Sequence, residues 1–342
     1  MGFYYVYKSL AHPEFNNYVK PYSLEERLMH VREAEKVIGS QFQWICDDMS
    51  NELKYALGSA PNAEFIIDSQ GLIVQRRVWS DPHTLRTDLE KLVGVVDNPT
   101  RVEDLNMPEI KPAGTVAQGI APRVVMPANM MAMKVKPVED EKYPFYVKLR
   151  AEADAAFLLG ESDTGQIYLG FHLDPLYHVH WNNEAAALEY SLTTKDGVIV
   201  SPAEGKFPEV TEAADADPRE FLLEITVEET RSPIELEVRY FACDDALTFC
   251  VPVTQHYSIL LERDRDGGSA MGRTVSEDEE MSVDDMVAEL WEMDSDGNGK
   301  LGRSELLGPF RAWFEEYNLD GDDVLSAEEV TSMATAIVDE IL

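Results

Sequence analysis

Near its C-terminus the chain reads DSDGNGKLGRSE, with an oxygen donor at every second position. Asp294, Asp296 and Asn298 offer side-chain oxygens, Lys300 offers its backbone carbonyl, Gly299 stands at the sharp turn, and Glu305 closes the run with two carboxylate oxygens. Alternation wraps these oxygens around one centre. An all-oxygen shell closed by a bidentate glutamate suits a large hard divalent ion, so the cofactor expected here is Ca2+. A second run, NLDGDDVLSAEE, repeats the spacing with Asn318, Asp320, Asp322, the Val324 carbonyl and Glu329. It departs twice. Asn318 replaces a leading aspartate and removes a charge, and Asp323 occupies the turn position where glycine takes the left-handed conformation most cheaply. The second loop is expected to be the weaker site. Leu301 and Leu325 fall at matching places, where the two loops can pair.

Sulfur is the other candidate chemistry. Cysteines stand at 46, 243 and 250, enough for one bridge with one left over. In EVRYFACDDALTFCVP, Cys243 ends a strand pattern and Cys250 follows a short turn, close enough to bridge if the turn folds back. On the residues alone a structural hairpin disulfide is the commoner use of such a pair. No lysine, arginine or histidine lies beside either cysteine in sequence, and Asp244 and Asp245 would raise the first thiol's pKa. Cys46 reads as an apolar residue ending a strand. His178 and His180 read as neighbours on one strand face, at most half of a metal site, and Trp181 as a core anchor.

The elements that must carry these groups change character along the chain. Residues 1–95 alternate strand and helix: FYYVYKSL is a strand, and Leu24, Leu28, Val31 and Ile38 mark a helix capped by Ser23 and Glu26. FQWIC is a second strand, a helix lies near Glu52 to Leu57, and a hairpin turns at Ser69 to Gly71. A last helix runs from Asp81 and Pro82 to a stop at Gly94. Residues 96–140 are proline-rich without a sustained period and read as a linker. From 141 to 265 the period becomes two, as in Ile167, Leu169 and Phe171 or Ile234, Leu236, Val238 and Tyr240, which predicts an antiparallel β-sandwich. Residues 266–281 form a glycine-rich, acidic linker, and 282–342 a helical module holding both oxygen-rich loops.

Three resemblances rest on these residues. The paired loops at 282–342 resemble an EF-hand pair, with Ser282 and Asp285 opening one helix and Ser326 and Glu329 capping another. Gly308 and Pro309 leave room for little more than one short helix between the loops, which favours structural or constitutive binding over the opening of a target groove. Ala11, His12 and Pro13, then Glu26 and Arg27, then Asp47, Met49 and Asn51, then Asp68 and Gly71 resemble the iodothyronine deiodinase family of thioredoxin-fold proteins over residues 3–93. That resemblance implies that Pro61 is the cis-proline facing an active site, and that the strand, loop and helix carrying the nucleophile are missing. It also implies an unpartnered edge at Phe3 to Tyr7 and a natural start upstream of Met1. HVHWNN, VIVSPAEGKFPEV and the cysteine pair are similar to the N-terminal periplasmic domain of the thiol-disulfide interchange protein DsbD over residues 143–263. This implies an immunoglobulin-like sandwich in which Cys243 and Cys250 pass electrons to client oxidoreductases.

The fold class expected is multidomain: an incomplete α/β thioredoxin-like domain, an immunoglobulin-like antiparallel β-sandwich and an α-helical EF-hand pair. A formal net charge of -35 repels nucleic acid and anionic lipid and concentrates cations. No apolar run approaches the length of a membrane span. The functional expectation is an extracytoplasmic bacterial calcium-binding protein, periplasmic or secreted, linked to thiol-disulfide exchange with thiol or disulfide client proteins. The alternatives are an N-terminally truncated thiol oxidoreductase and a non-catalytic structural adaptor.

Overall fold

The computed structural model describes residues 2–10, 13–14, 18–58, 60, 62–77, 79–98, 119–127, 130–138, 142–246, 248–267, 283–291, 293, 299–303, 305–306 and 310–341. The chain forms two compact units, one of residues 1–56 and 107–274, the other of residues 57–106 and 275–342. The architecture is multidomain and mostly β-sheet.

The first unit opens with β1 (Tyr4–Tyr7), α1 (Leu24–Ile38), β2 (Gln43–Cys46) and α2 (Glu52–Leu57). β1 and β2 pair in parallel, Tyr4 opposite Gln43 through Tyr7 opposite Cys46, and no other described strand joins them. The N–H of Glu26 donates to Ser23 Oγ at 3.2 Å, while the Glu26 carboxylate reaches back to the Tyr22 N–H at 2.6 Å, one residue beyond its own cap. Leu24, counted on the apolar face of α1, is exposed. The buried stripe is instead Glu26, Arg27, His30 and Val31.

In the second unit, β3 (Glu64–Ile67) and β4 (Ile73–Arg77) form an antiparallel hairpin. Asp68 Oδ1 closes its turn by accepting the N–H groups of Gln70 and Leu72. α3 (Pro82–Val93) begins after Asp81, whose side chain accepts the Thr84 N–H at 2.7 Å, and stops at Gly94, as the spacing predicted. The expectation of one thioredoxin-like domain over 1–95 is corrected here. β1–β2 and β3–β4 are separate two-stranded sheets, and residues 1–56 group with the sandwich because buried ion pairs tie them to it.

The sandwich comprises β5 (Met130–Val138), β6 (Val147–Asp154), the short α4 (Ala155–Leu158), β7 (Thr164–Leu173), β8 (Val179–Asn182), β9 (Glu189–Thr193), β10 (Val198–Ser201), β11 (Glu204–Lys206), β12 (Ala214–Asp215), β13 (Arg219–Val227), β14 (Ile234–Asp244) and β15 (Cys250–Arg263). One layer runs β10-β13-β7-β6-β5. The other runs β5-β15-β14, with β9 and β11 beside the first half of β14 and β8 and β12 beside its second half. β5 serves both layers: Met130 to Ala132 pair with β6, and Met133 to Val138 pair with β15. Phe171, Ile225, Val238 and Tyr257 are among the fully enclosed core residues, each worth about 2 kcal/mol of burial.

The linker assigned to 96–140 is also corrected in its second half. Ala121 and Met126 are buried, Arg123 binds Glu220 through both its Nε and Nη2 (2.7 and 2.8 Å), and β5 is a central strand. Pro137 lies within β5 without ending it, and Pro127 stands just before it, so the period of two was hidden. Residues 101–118 lie outside those described.

β6 buries both faces. Val147, Leu149, Ala151 and Ala153 enter the core, while Lys148, Arg150 and Glu152 lie buried on the opposite face, where Glu14, Tyr22 and Glu26 meet Lys148 and Arg150. Lys148 pairs with Glu26, lies 3.6 Å from Asp174 and sits over the Tyr22 ring at 4.5 Å. Arg150 bonds Glu14 at 2.6 Å and pairs with Glu152. At the other end of this junction Asp266 accepts from Asn51 (2.9 Å), Lys54 (2.6 Å) and Tyr55 (2.6 Å), so a residue assigned to the 266–281 linker is an anchor.

The C-terminal module of the second unit holds α5 (Val283–Trp291), β16 (Leu301–Gly302), α6 (Phe310–Tyr317), β17 (Val324–Leu325) and α7 (Ala327–Ile341). Met286, Leu290, Leu301, Phe314, Leu325, Val330, Met333 and Ile337 form its core.

Candidate functional sites

The two oxygen-rich loops meet at their eighth residues. Leu301 pairs with Leu325 and Gly302 with Val324 in a short antiparallel bridge, and both leucines are fully buried. The closing glutamates are used alike: the Gly302 N–H donates to Glu305 Oε2 at 2.7 Å, and the Ser326 N–H donates to Glu329 Oε2 at 2.8 Å. Ser326 and Glu329 complete a capping box, since the Glu329 N–H donates to Ser326 Oγ at 3.4 Å. The other Glu329 oxygen accepts the Leu319 N–H at 2.7 Å, bringing the twelfth residue back to the start of its loop. The Ser326 N–H and hydroxyl hold the Glu329 carboxyl below the usual range, so it is charged.

In the second loop Asp320 Oδ1 accepts the Asp322 N–H (3.1 Å), Asp322 Oδ1 accepts the Val324 N–H (2.8 Å), and the Asn318 amide donates to the Asp322 carbonyl. Asn318 Oδ1 is buried with no hydrogen-bond partner. A buried acceptor left open where the spacing places the first ligand fits a cation shell. Among the described residues no three His, Cys, Asp or Glu side chains gather into a metal-holding cluster. The loop carboxylates are instead turned onto backbone N–H groups, which separates their charges. The expected role of Asp323 is corrected: the left-handed residue is Gly321 at φ 72°, two positions earlier, whereas the first loop keeps it at Gly299, φ 74°. Asp294, Asp296 and Asn298 lie outside the described residues; Lys300 and Glu305 of that loop are described.

Cys243 and Cys250 face each other across β14 and β15, Cα atoms 4.0 Å apart, joined as a disulfide. The Asp244 N–H bonds the Phe249 carbonyl, so by ladder alternation the cysteines occupy the adjoining non-hydrogen-bonded pair, where side chains approach closest. Asp244 does not stand against the thiol. Its carboxylate accepts the N–H groups of Phe249 and Thr248, each at 2.7 Å, and these hold its pKa below the usual carboxylate value while shaping the turn. Cys243 is buried and Cys250 exposed.

The residues that flank the bridge come from a strand distant in sequence. β8 places His180 directly opposite Cys243, with Trp181 facing the core and His180 and Asn182 the outer face. His180 Nδ1 lies 3.0 Å from Asp245 Oδ1, and the Asn182 amide donates to Cys250 Sγ at 3.4 Å. Sequence distance concealed these neighbours, since over sixty residues separate β8 from the cysteines; the alternation in HVHWNN was the available signal. The two histidines do not share a strand face: His178 lies just before β8 in a left-handed conformation, φ 52°. Trp181 is the expected anchor, buried with its Nε1 donating to the Asp217 carbonyl at 2.7 Å.

Several of the residues on which the expected deiodinase resemblance rests do scaffolding work. Arg27 donates to the Asp47 carbonyl (3.2 Å) and to Asn51 Oδ1 (3.0 Å), and Asp47 accepts the N–H groups of Leu53 (3.1 Å) and Lys54 (2.8 Å) at the start of α2. Met49 is exposed, and Ala11, His12 and Pro61 lie outside the described residues. Cys46 is half-buried, its thiol donating to the Asp47 carbonyl at 3.4 Å, and burial raises its pKa, the direction opposite to an activated thiol. No protein-family model matches the chain, and the search of curated proteins returns no significant match.

Proposed function

We propose that this chain is an extracytoplasmic, bacterial-type calcium-binding protein whose sandwich exchanges disulfides with client thiol proteins. The observation that carries the calcium reading is the open Asn318 Oδ1 at the head of a loop whose closing Glu329 accepts the Leu319 N–H, tied to its partner loop through Leu301 and Leu325. In this reading the C-terminal module is an EF-hand pair. Asp294, Asp296, Asn298, Glu305 and the Lys300 carbonyl would hold one Ca2+, and Asn318, Asp320, Asp322, Glu329 and the Val324 carbonyl a second. The ion supplies positive charge that neutralises carboxylates held close together, and so orders an acidic module. Calorimetric titration of the full chain with CaCl2 should give two binding steps. Glu305→Ala should remove one and Glu329→Ala the other; heats unchanged by either substitution would reject the assignment.

A second observation favours exchange chemistry. Cys250 is exposed while its partner Cys243 is buried, so an attacking thiolate has one accessible sulfur and one protected leaving group. The resemblance to the DsbD N-terminal domain points the same way and implies a periplasmic setting with an immunoglobulin-like sandwich. Alkylation followed by mass spectrometry should find both thiols after mild dithiol treatment of the folded chain. A bridge that resists until unfolding would support the adaptor reading instead.

A further inference from the structure

The outer face of the sandwich places a histidine and a carboxylate beside the buried sulfur. His180 lies opposite Cys243 on the same face of paired antiparallel strands, where Cβ atoms stand about 5 Å apart. Asp245 Oδ1 meets Nδ1 of the ring, which leaves Nε2 for proton exchange. The His180 side chain is 19% exposed and that of Asp245 61%, so the pair sits at the surface with access to solvent protons. On Cys250 the Asn182 amide points its N–H at the sulfur. Strand β8 places His180 and Asn182 on the two-sulfur bridge, the turn after β14 places Asp245 on His180, and none of the three is needed to form a hairpin disulfide.

We infer that His180, oriented by Asp245, is the proton carrier for Cys243 during disulfide exchange, and that Asn182 holds Cys250 as the thiolate released in the second step. The inference rests on the exchange reading above. In the opening step a thiolate of a dithiol reductant attacks exposed Cys250 Sγ. A mixed disulfide between reductant and Cys250 forms, the Cys243–Cys250 bond breaks, and its electron pair leaves on Cys243 Sγ. The His180 imidazolium gives that sulfur a proton, so the buried position receives a neutral thiol in place of an uncompensated anion. The reductant's second thiol, losing its proton to solvent, attacks its own sulfur in the mixed disulfide. Its ring closes as a disulfide and Cys250 departs as a thiolate, facing the Asn182 N–H. Two electrons have then entered the protein, and the reverse sequence delivers them to a client disulfide.

Charged and titratable groups face His180 from the elements packed around it. Asp245 contacts it directly, and Asp244 on the same strand is held charged by its turn hydrogen bonds. Cys243 on β14 and Cys250 on β15 complete that side, β12 presents uncharged Ala214 opposite Asn182, and His178 and Glu184 flank β8.

The test is the rate at which dithiothreitol opens the bridge in the full-length protein, followed across pH for the wild type, His180→Gln and Asp245→Asn. At the acidic end of the pH series, His180→Gln should be slower by about tenfold. That is less than the hundredfold of full general acid catalysis, because a thiolate is already a fair leaving group. The ratio of wild-type to His180→Gln rates should shrink as pH rises, and Asp245→Asn, altering an exposed side chain, should show the same trend more weakly. A ratio that is constant across pH, or equal to one, overturns the role of His180 and leaves exchange standing. A wild-type bridge that dithiothreitol does not open overturns both.

Discussion

The loop pair of the C-terminal module and the junction between residues 14–55 and the sandwich are both rich in charge, yet they are built on opposite plans. In the loops every proposed ligand lies within a dozen consecutive residues; among the described ones Asp320 and Asp322 are exposed and Glu305 half-buried, while Leu301, Leu325 and Glu329 are buried. In the junction, Glu14, Glu26, Lys148, Arg150, Glu152 and Asp174 come from separate stretches and are withdrawn from water, most of them fully. Charge that shares a local loop can be neutralised by an ion. Charge sealed between distant segments must be neutralised by the protein itself, and each partner then becomes indispensable to the other.

The largest expected effect breaks that second plan. Lys148→Ala leaves Glu26 and Asp174 buried without their cation and should cost about 3–5 kcal/mol in urea unfolding. A loss under about 1 kcal/mol would show that water enters the junction and that the two regions do not differ in kind.

Asp174 sharpens the comparison through pH. Burial, opposed by Lys148, raises its pKa to about 6. The folded chain therefore keeps a proton that the unfolded chain has released between about pH 4 and pH 6. Stability from this group is complete below the unfolded value and declines as pH rises through the folded one, by up to about 1.4 kcal/mol per pH unit. Asp174→Asn should flatten that slope in chemical denaturation at several pH values. An unchanged slope would remove Asp174 as its source.

The smallest effect belongs to the second loop. Gly321→Ala puts a side chain into a left-handed conformation and should cost about 1–2 kcal/mol, although nothing lies within 4 Å of the added carbon. Asp323→Gly, at the position where the spacing demanded glycine, should change thermal unfolding far less. The reverse ranking would restore the turn to Asp323.

Much of the scaffold was legible before any coordinates. The caps at Ser23 and Asp81, the turn at Ser69 to Gly71, the strand period in Ile234 to Tyr240 and the places of Leu301 and Leu325 within their own loops all depend on neighbours a few residues apart. Local hydrogen bonds and alternating burial leave that kind of trace. The polar face of β6 left none, because Lys148, Arg150 and Glu152 look like ordinary outward residues until something covers them.

The sequence by itself determined which residues could hold a divalent ion and which two cysteines could bridge, since both depend on short spacing along one chain. Only the tertiary structure decided that His180, Asp245 and Asn182 surround that bridge, and that Glu26 and Lys148 seal a junction. Strand pairing brings together residues far apart in the chain, and the pattern of any one segment does not say which partner will cover its outward face.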